Sequence, residues 1–158
     1  MITLKKIVKK LINLNKTIST MESCTGGGVA DAITSIEGAS EVLKFSAVTY
    51  SNEFKIKMGV SKNVIDKYSV YSIETAMEMS KNISKFTNSN YGVGITGKLN
   101  RVDRENPYGE DNVVFISIYD KDNDKFYNDK IKVLGKTRRK NKKQVIDLVI
   151  VNLLKILK

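Results

Sequence analysis

The 158-residue chain contains no histidine. That excludes Ser-His-Asp and Cys-His mechanisms and every metal site that relies on imidazole. Carboxylate, Lys, Tyr, Cys and hydroxyl groups remain to carry any chemistry, and no clustered Asp/Glu motif announces a carboxylate-only metal site. Cys24 is the single cysteine, so no intramolecular disulfide can form. Nothing at the N-terminus has the apolar core and small-residue cleavage site of a secretory signal, and together these features point to a reducing, cytoplasmic setting. The apolar runs are far too short to span a bilayer, so a membrane partner is not expected. Proline is as scarce: the single Pro107 lies in the polar segment "GKLNRVDRENPYGEDN" (97–112), which reads as a functional or flexible loop.

Acidic charge is also in short supply. Lys and Arg number 27 against 17 Asp and Glu, a net charge of +10. The excess is mostly Lys, scattered along the chain and thickest in "KTRRKNKK" (136–143). No aromatic residues interleave there to stack bases, so the balance reads as solvated surface and nucleic acid is not the expected partner. A nucleic-acid surface at 136–143 is the weaker alternative, and its binding would fall steeply with salt.

What the chain does contain is an alternation of helical and extended patterns. Residues 4–15 repeat apolar side chains at a helical period, "TISTMES" (17–23) has the β-branched content of a short strand, and the Gly cluster after it opens a small-residue helix. "KFSAVTYS" (44–51) reads as a second strand, with Ser51 placed to cap a short helix and "SKNVIDKY" forming another turn or two. Ser72 is a good N-cap for a helix whose stripe Ile73, Ala76, Met77, Met79, Ser80, Ile83 and Phe86 faces the core. "YGVGIT" (91–96) looks like a buried strand; "VVFISIYD" and "KFYNDKIKVL" form a hairpin around "KDND"; a last helix runs through "KKQVIDLVIVNLLKIL". The expected product is a single α/β domain over residues 1–158, a three-layer α/β/α sandwich with a mixed sheet, parallel at its centre with an antiparallel edge hairpin.

"GVGITG" (92–97) matches G-x-G-x-x-G and falls one residue short of a Walker A motif. A phosphate site needs those glycines after a strand and immediately before a helix. Here Gly92 and Gly94 fall inside the strand pattern, and position 99 is Leu where a Walker motif needs Ser or Thr. Tight neighbours across a central strand explain them better.

"TMESCTGGGVADAITSI" (20–36) holds the chain's strongest functional signal. Gly costs about 0.5–1 kcal/mol relative to Ala inside a helix or strand, so three in a row mark a sharp turn or a close approach. A strand ending at Ser23 and passing through Gly into a helix presents backbone N–H groups to a phosphate or a tetrahedral oxyanion. Ser23 or Cys24 could then be a nucleophile; alternatively Ser23 and Thr25 cap the helix while Cys24 packs as a small hydrophobe. Without histidine, the usual base for such a serine is a neutral lysine. Lys55 is attractive because it falls early in the helix after "AVTYS", where the dipole disfavours an ammonium. A working pKa near 7 needs a shift of about three units, which burial would have to complete. Tyr50, at the end of the preceding strand, could orient that lysine through its hydroxyl.

"TMESCTGGGVADAIT", "VTYSNEFK" and "GVGITG", in this order and at these separations, resemble the CinA C-terminal domain family, whose active members are nicotinamide mononucleotide deamidases. The family pattern reads roughly A-E-S-C-T-G-G, Y-S-N-E-x-K and A-x-T-G, and the similarity runs from Thr17 through the last helix. The resemblance implies metal- and cofactor-free hydrolysis of a pyridine mononucleotide's carboxamide to nicotinate mononucleotide and ammonia, and a homo-oligomer. Ser23 matches the nucleophile, Lys55 the general base, Tyr50 a member of the same proton relay, and Thr96 a threonine set against the substrate amide. Arg138, or Arg139 beside it, matches an arginine in the segment before the last helix that meets the phosphate. Backbone N–H groups of Thr25, Gly26 and Gly27 could supply the oxyanion donors, the reading of the glycine cluster made specific. After the T-G pair the family usually carries G-x-x-G-P-x-G-G, where this chain reads "GKLNRVDRENPYG". That departure leaves room for an alternative, a catalytically weakened nucleotide-binding or competence-related interaction module of the same family.

Overall fold

The computed structural model describes residues 1–100, 106, 107 and 109–158. The order is α1 (Ile2–Asn13), β1 (Ile18–Glu22), α2 (Gly28–Thr34), β2 (Leu43–Val48), α3 (Asn52–Lys57), α4 (Lys62–Tyr68), α5 (Ile73–Thr87), β3 (Tyr91–Gly97), β4 (Val113–Asp120), β5 (Lys125–Lys132) and α6 (Arg138–Ile156). The loop expected over 97–112 lies partly outside the described residues. One sheet of five strands runs β2-β1-β3-β4-β5; β1 is parallel to both neighbours, and β3-β4 and β4-β5 are antiparallel. The expected mixed α/β/α architecture is what forms, with the parallel part reaching one edge through β2.

Period-2 alternation sorts β1 between two layers. Ile18 faces a core built with Ile7 and Leu11 of α1, Val29 and Ile33 of α2, and Val149 and Leu153 of α6. Met21 faces the other way, onto Met79 and Ile83 of α5 and Ile65 of α4. Of the stripe expected to bury α5, Ala76, Met79, Ser80 and Ile83 do so, but Phe86 is 66% exposed. It sits one residue from the C-terminal end of α5 and packs instead against Phe45 of edge strand β2, ring centroids 5.4 Å apart.

Side-chain caps fix the helix starts. Ser51, Ser61 and Ser72 each accept a backbone N–H at the head of α3, α4 and α5. Thr137 does the same for α6, accepting from Lys140 N–H at 3.2 Å, so that helix begins at Arg138 rather than in "KKQVID". The basic run is therefore mostly the first turns of a helix rather than a segment before it.

Gly92 and Gly94 have the role expected of tight strand glycines. A Cβ at either would collide with an α5 carbonyl, that of Ser80 or Ala76, so α5 lies directly on the backbone of β3. Neither glycine opens a helix, and the dinucleotide and Walker readings have no structural support. Gly94→Ala should lower unfolding free energy by about 3 kcal/mol or more, since the added methyl would meet the Ala76 carbonyl and Ser80 amide of the α5 backbone and the Met79 Cβ, none of which can swing aside. Urea denaturation checks this, and a loss below about 1 kcal/mol would mean that α5 can slide away.

Candidate active site

The three parallel strands all end at the same edge of the sheet, and their register makes the site. Glu22, last in β1, pairs with Val48 of β2 and Ile95 of β3. The ladder runs one step further, with Thr49 N–H donating to Glu22 O at 2.8 Å and Ser23 N–H to Ile95 O at 3.1 Å. Ser23 is thereby set between Thr49 and Thr96 at the strands' carboxyl ends.

Lys55 reaches this point from α3. The Ser51 cap starts the helix, and the side chain turns back so that Nζ donates to Thr49 O at 2.8 Å and to Ser23 Oγ at 3.2 Å. The two side chains come from positions 32 residues apart. Lys55 is 2% exposed and Ser23 7%. α3 has only six residues and Lys55 is the fourth, so the helix dipole invoked from the sequence has little leverage there. Ser23 and Lys55 line a cavity of about 510 Å³ together with Tyr50, Lys98, Leu99 and Arg138.

Cys24, the other nucleophile candidate, is buried in the α1/α2/α6 core although it also borders the cavity. Burial pushes its thiol up to about 12, against the pull of Lys55, so it is a protonated thiol at neutral pH. Packing as a small hydrophobe accounts for it, and Ser23 is left as the hydroxyl in reach of the lysine.

The remaining expected residues divide. Tyr50 is 63% exposed, and its hydroxyl accepts from Arg138 at 3.0 Å rather than bridging to Lys55 through that bond. The second arm of the Arg138 guanidinium donates to Leu99 O. Thr96 is buried beside Ser23 and donates to Val70 O at 2.7 Å. Thr25, Gly26 and Gly27 line a second, more open recess beside the first turns of α6, and Arg139 lines only that one; Arg138 borders both. Gly26 N–H is used within the turn, donating to Ser23 O at 2.9 Å.

Glu22 was absent from the expected residues, yet it organises the turn. It is fully buried and accepts four hydrogen bonds: Thr25 Oγ1 at 2.6 Å, Thr20 Oγ1 at 3.0 Å, and the N–H groups of Val29 and Ala30 at 3.0 Å each. The amides at the start of α2 are therefore taken by a carboxylate of the chain itself. The signal was available in "ESCTGGGVA", an acid seven residues before a helical N–H, but such a long-range cap has no short-spacing signature. Asn52 and Asn106 were also missed; they exchange side-chain hydrogen bonds at 2.9 and 3.2 Å across the mouth of the cavity.

A serine hydroxyl against a buried lysine amine, at the carboxyl ends of parallel strands, defines an α/β/α domain carrying a Ser–Lys pair. The family model for the CinA C-terminal domain matches residues 2–157. The chain belongs to that family. It is 37% identical over 131 residues to a CinA-like protein of Thermosipho melanesiensis, covering 81% of this chain and 32% of that one. With a CinA-like protein of Flavobacterium psychrophilum it shares 40% over 120 residues, 73% of this chain and 28% of the other. It thus spans less than a third of the length of these curated relatives. The crystal structure of a competence or damage-inducible protein from Enterobacter asburiae matches with a TM-score of 0.87 at 22% identity, covering 99% of this chain and 96% of that one. At that identity the likeness shows the shared fold. No helix among the described residues is long and apolar enough to cross a membrane, and no group of three or more potential metal-binding side chains occurs among them.

Glu22→Gln should lower stability by about 2–3 kcal/mol, because an amide turns one acceptor into a donor facing two other donors. Denaturant titration reads this. Native protein at pH 7.5 should leave Cys24 unalkylated by iodoacetamide over a period that fully labels the urea-unfolded chain, as followed by mass spectrometry. Rapid native labelling would reopen the thiol as a nucleophile.

Proposed function

We propose that this chain is an amidase that hydrolyses the carboxamide of nicotinamide mononucleotide to nicotinate mononucleotide and ammonia. The observation that carries the reading is the 3.2 Å contact between Lys55 Nζ and Ser23 Oγ in the wall of a cavity of suitable size. Family membership and the family pattern around Ser23, Tyr50, Lys55 and Thr96 support it.

In this mechanism the uncharged Lys55 amine accepts the Ser23 proton as Oγ attacks the carboxamide carbon. The tetrahedral oxyanion is assigned to backbone N–H groups of the glycine turn, which line the recess adjoining this cavity. With Gly26 N–H donating to Ser23 O, Thr25 and Gly27 are the donors left from the expected set. Collapse breaks the C–N bond, and the Lys55 ammonium returns its proton to the departing nitrogen, releasing ammonia. Water then attacks the acyl-serine with Lys55 again as base, and nicotinate mononucleotide leaves with Ser23 restored. No metal or redox group takes part. Thr96 acts by holding Val70 O beside the cavity, since its hydroxyl is donated there. Tyr50 acts by orienting Arg138 at the entrance.

Ser23→Ala and Lys55→Met should each lower kcat for ammonia release by about a thousandfold or more, with the fold retained by circular dichroism. An intact protein that binds the mononucleotide but releases no ammonia would instead assign the chain to the non-catalytic nucleotide-binding reading. Release unaffected by Ser23→Ala would sink the Ser–Lys mechanism.

A further inference from the structure

Lys98 is the residue immediately after β3, and its N–H extends the β3–β4 ladder by donating to Val113 O at 3.3 Å. It is only 4% exposed and lines the cavity that holds Ser23 and Lys55. It and Lys55 are the two lysines of the described residues that are buried. The Nζ of Lys98 donates to Gly109 O at 3.3 Å and stands 5.1 Å from the centroid of the Tyr71 ring. An ammonium has three N–H donors, so one long bond to a carbonyl and one ring face leave capacity for an acceptor.

The described surroundings supply no negative charge for it. Among the described residues, none of the ion pairs includes Lys98. The described cavity lining contains Lys55, Lys98 and Arg138 and neither Asp nor Glu. Enclosing a cation without a counter-ion is costly, and that cost is recovered when an anion enters and is desolvated beside it. Arg138 differs in being exposed, with two of its guanidinium N–H groups donating to Leu99 O and Tyr50 Oη. Among the described residues Lys98 is thus an enclosed cation with a spare donor and no carboxylate partner, at a position outside the set that the family resemblance assigned.

We propose that Lys98 is a specificity-determining residue that takes the phosphomonoester of the ligand inside the Ser23–Lys55 cavity. The proposal rests on the mononucleotide reading given above and adds to it a reason for preferring phosphorylated substrates. Lys98 forms no bond to the reacting atoms; it fixes one end of the ligand by charge-assisted hydrogen bonding.

The test separates binding from turnover. Ser23→Ala protein is titrated calorimetrically with nicotinamide mononucleotide and with nicotinamide riboside, with Lys98 intact or replaced as Lys98→Met, Lys98→Gln or Lys98→Arg. The Met and Gln variants should weaken mononucleotide binding by about tenfold or more, leave riboside binding unchanged, and be largely rescued by Arg. Inorganic phosphate should compete with the mononucleotide only while a cation occupies position 98. The free Lys98→Met protein should also unfold at a higher temperature than its parent, since it loses an enclosed charge with no counter-ion among the described residues. Equal weakening of both ligands, unchanged affinity for the mononucleotide, no mononucleotide binding by the intact chain, or a destabilised Met variant would each overturn the proposal. Lys98-dependent binding by a chain that releases no ammonia would remove the amidase reading while keeping the anion site. Ammonia release with an unaltered Lys98→Met affinity would do the reverse.

Discussion

The buried carboxylate of Glu22 is the interaction on which the site depends. It closes β1, accepts two hydroxyls from Thr20 and Thr25, and holds the first amides of α2, so strand, glycine turn and helix are tied at one point. A turn with Gly26 and Gly27 at positive φ has little rigidity of its own. Four charge-assisted hydrogen bonds in a fully buried setting supply it. Ser23 lies between that anchor and the ends of two parallel strands, which is why a residue in a glycine-rich turn can have a fixed direction.

A second constraint acts from the opposite layer. Because β3 presents Gly92 and Gly94 to α5, the helix comes close enough for the serine hydroxyls of Ser80 and Ser117 to meet at 3.0 Å across it. The apolar cluster below is small, with Met21, Met79 and Ile83 at its centre. Backbone proximity there does part of the work that bulky side chains perform on the α1/α2/α6 face. The Ser23–Lys55 pair thus sits at the junction of a thick apolar layer and a thin, hydrogen-bonded one, a setting that limits water on both sides.

Much of this was legible beforehand, for identifiable reasons. Cap residues Ser51 and Ser72 act over three positions, so the starts of α3 and α5 could be read directly. The strand alternation of β1 and β3 and the hairpin of β4 and β5 are equally local. The pairing of Ser23 with Lys55 was suggested by the absence of histidine and by the family pattern, and parallel strands ending at one edge are what bring the two together. What could not be read were the Glu22 cap, whose seven- and eight-residue reach has no short-spacing signature, and contacts set by distant chain: the pairing of Tyr50 with Arg138 and the enclosure of Lys98. The start of α6 at Arg138 was obscured because Lys and Arg carry no apolar period, leaving only the Thr137 cap as a signal. Phe86 was misplaced because a helical period continues past the point where the core ends.

The strand order has a dynamic corollary. β2 lies at the border of the sheet, bonded to β1 on one side alone, and the segment after it carries both Tyr50 and Lys55. Border strands fray at lower free energy than interior ones. Transient detachment of that single ribbon would carry the amine away from the hydroxyl while the β1-β3-β4 centre stayed folded, so operational lifetime would be governed by a sub-global opening and not by melting of the whole.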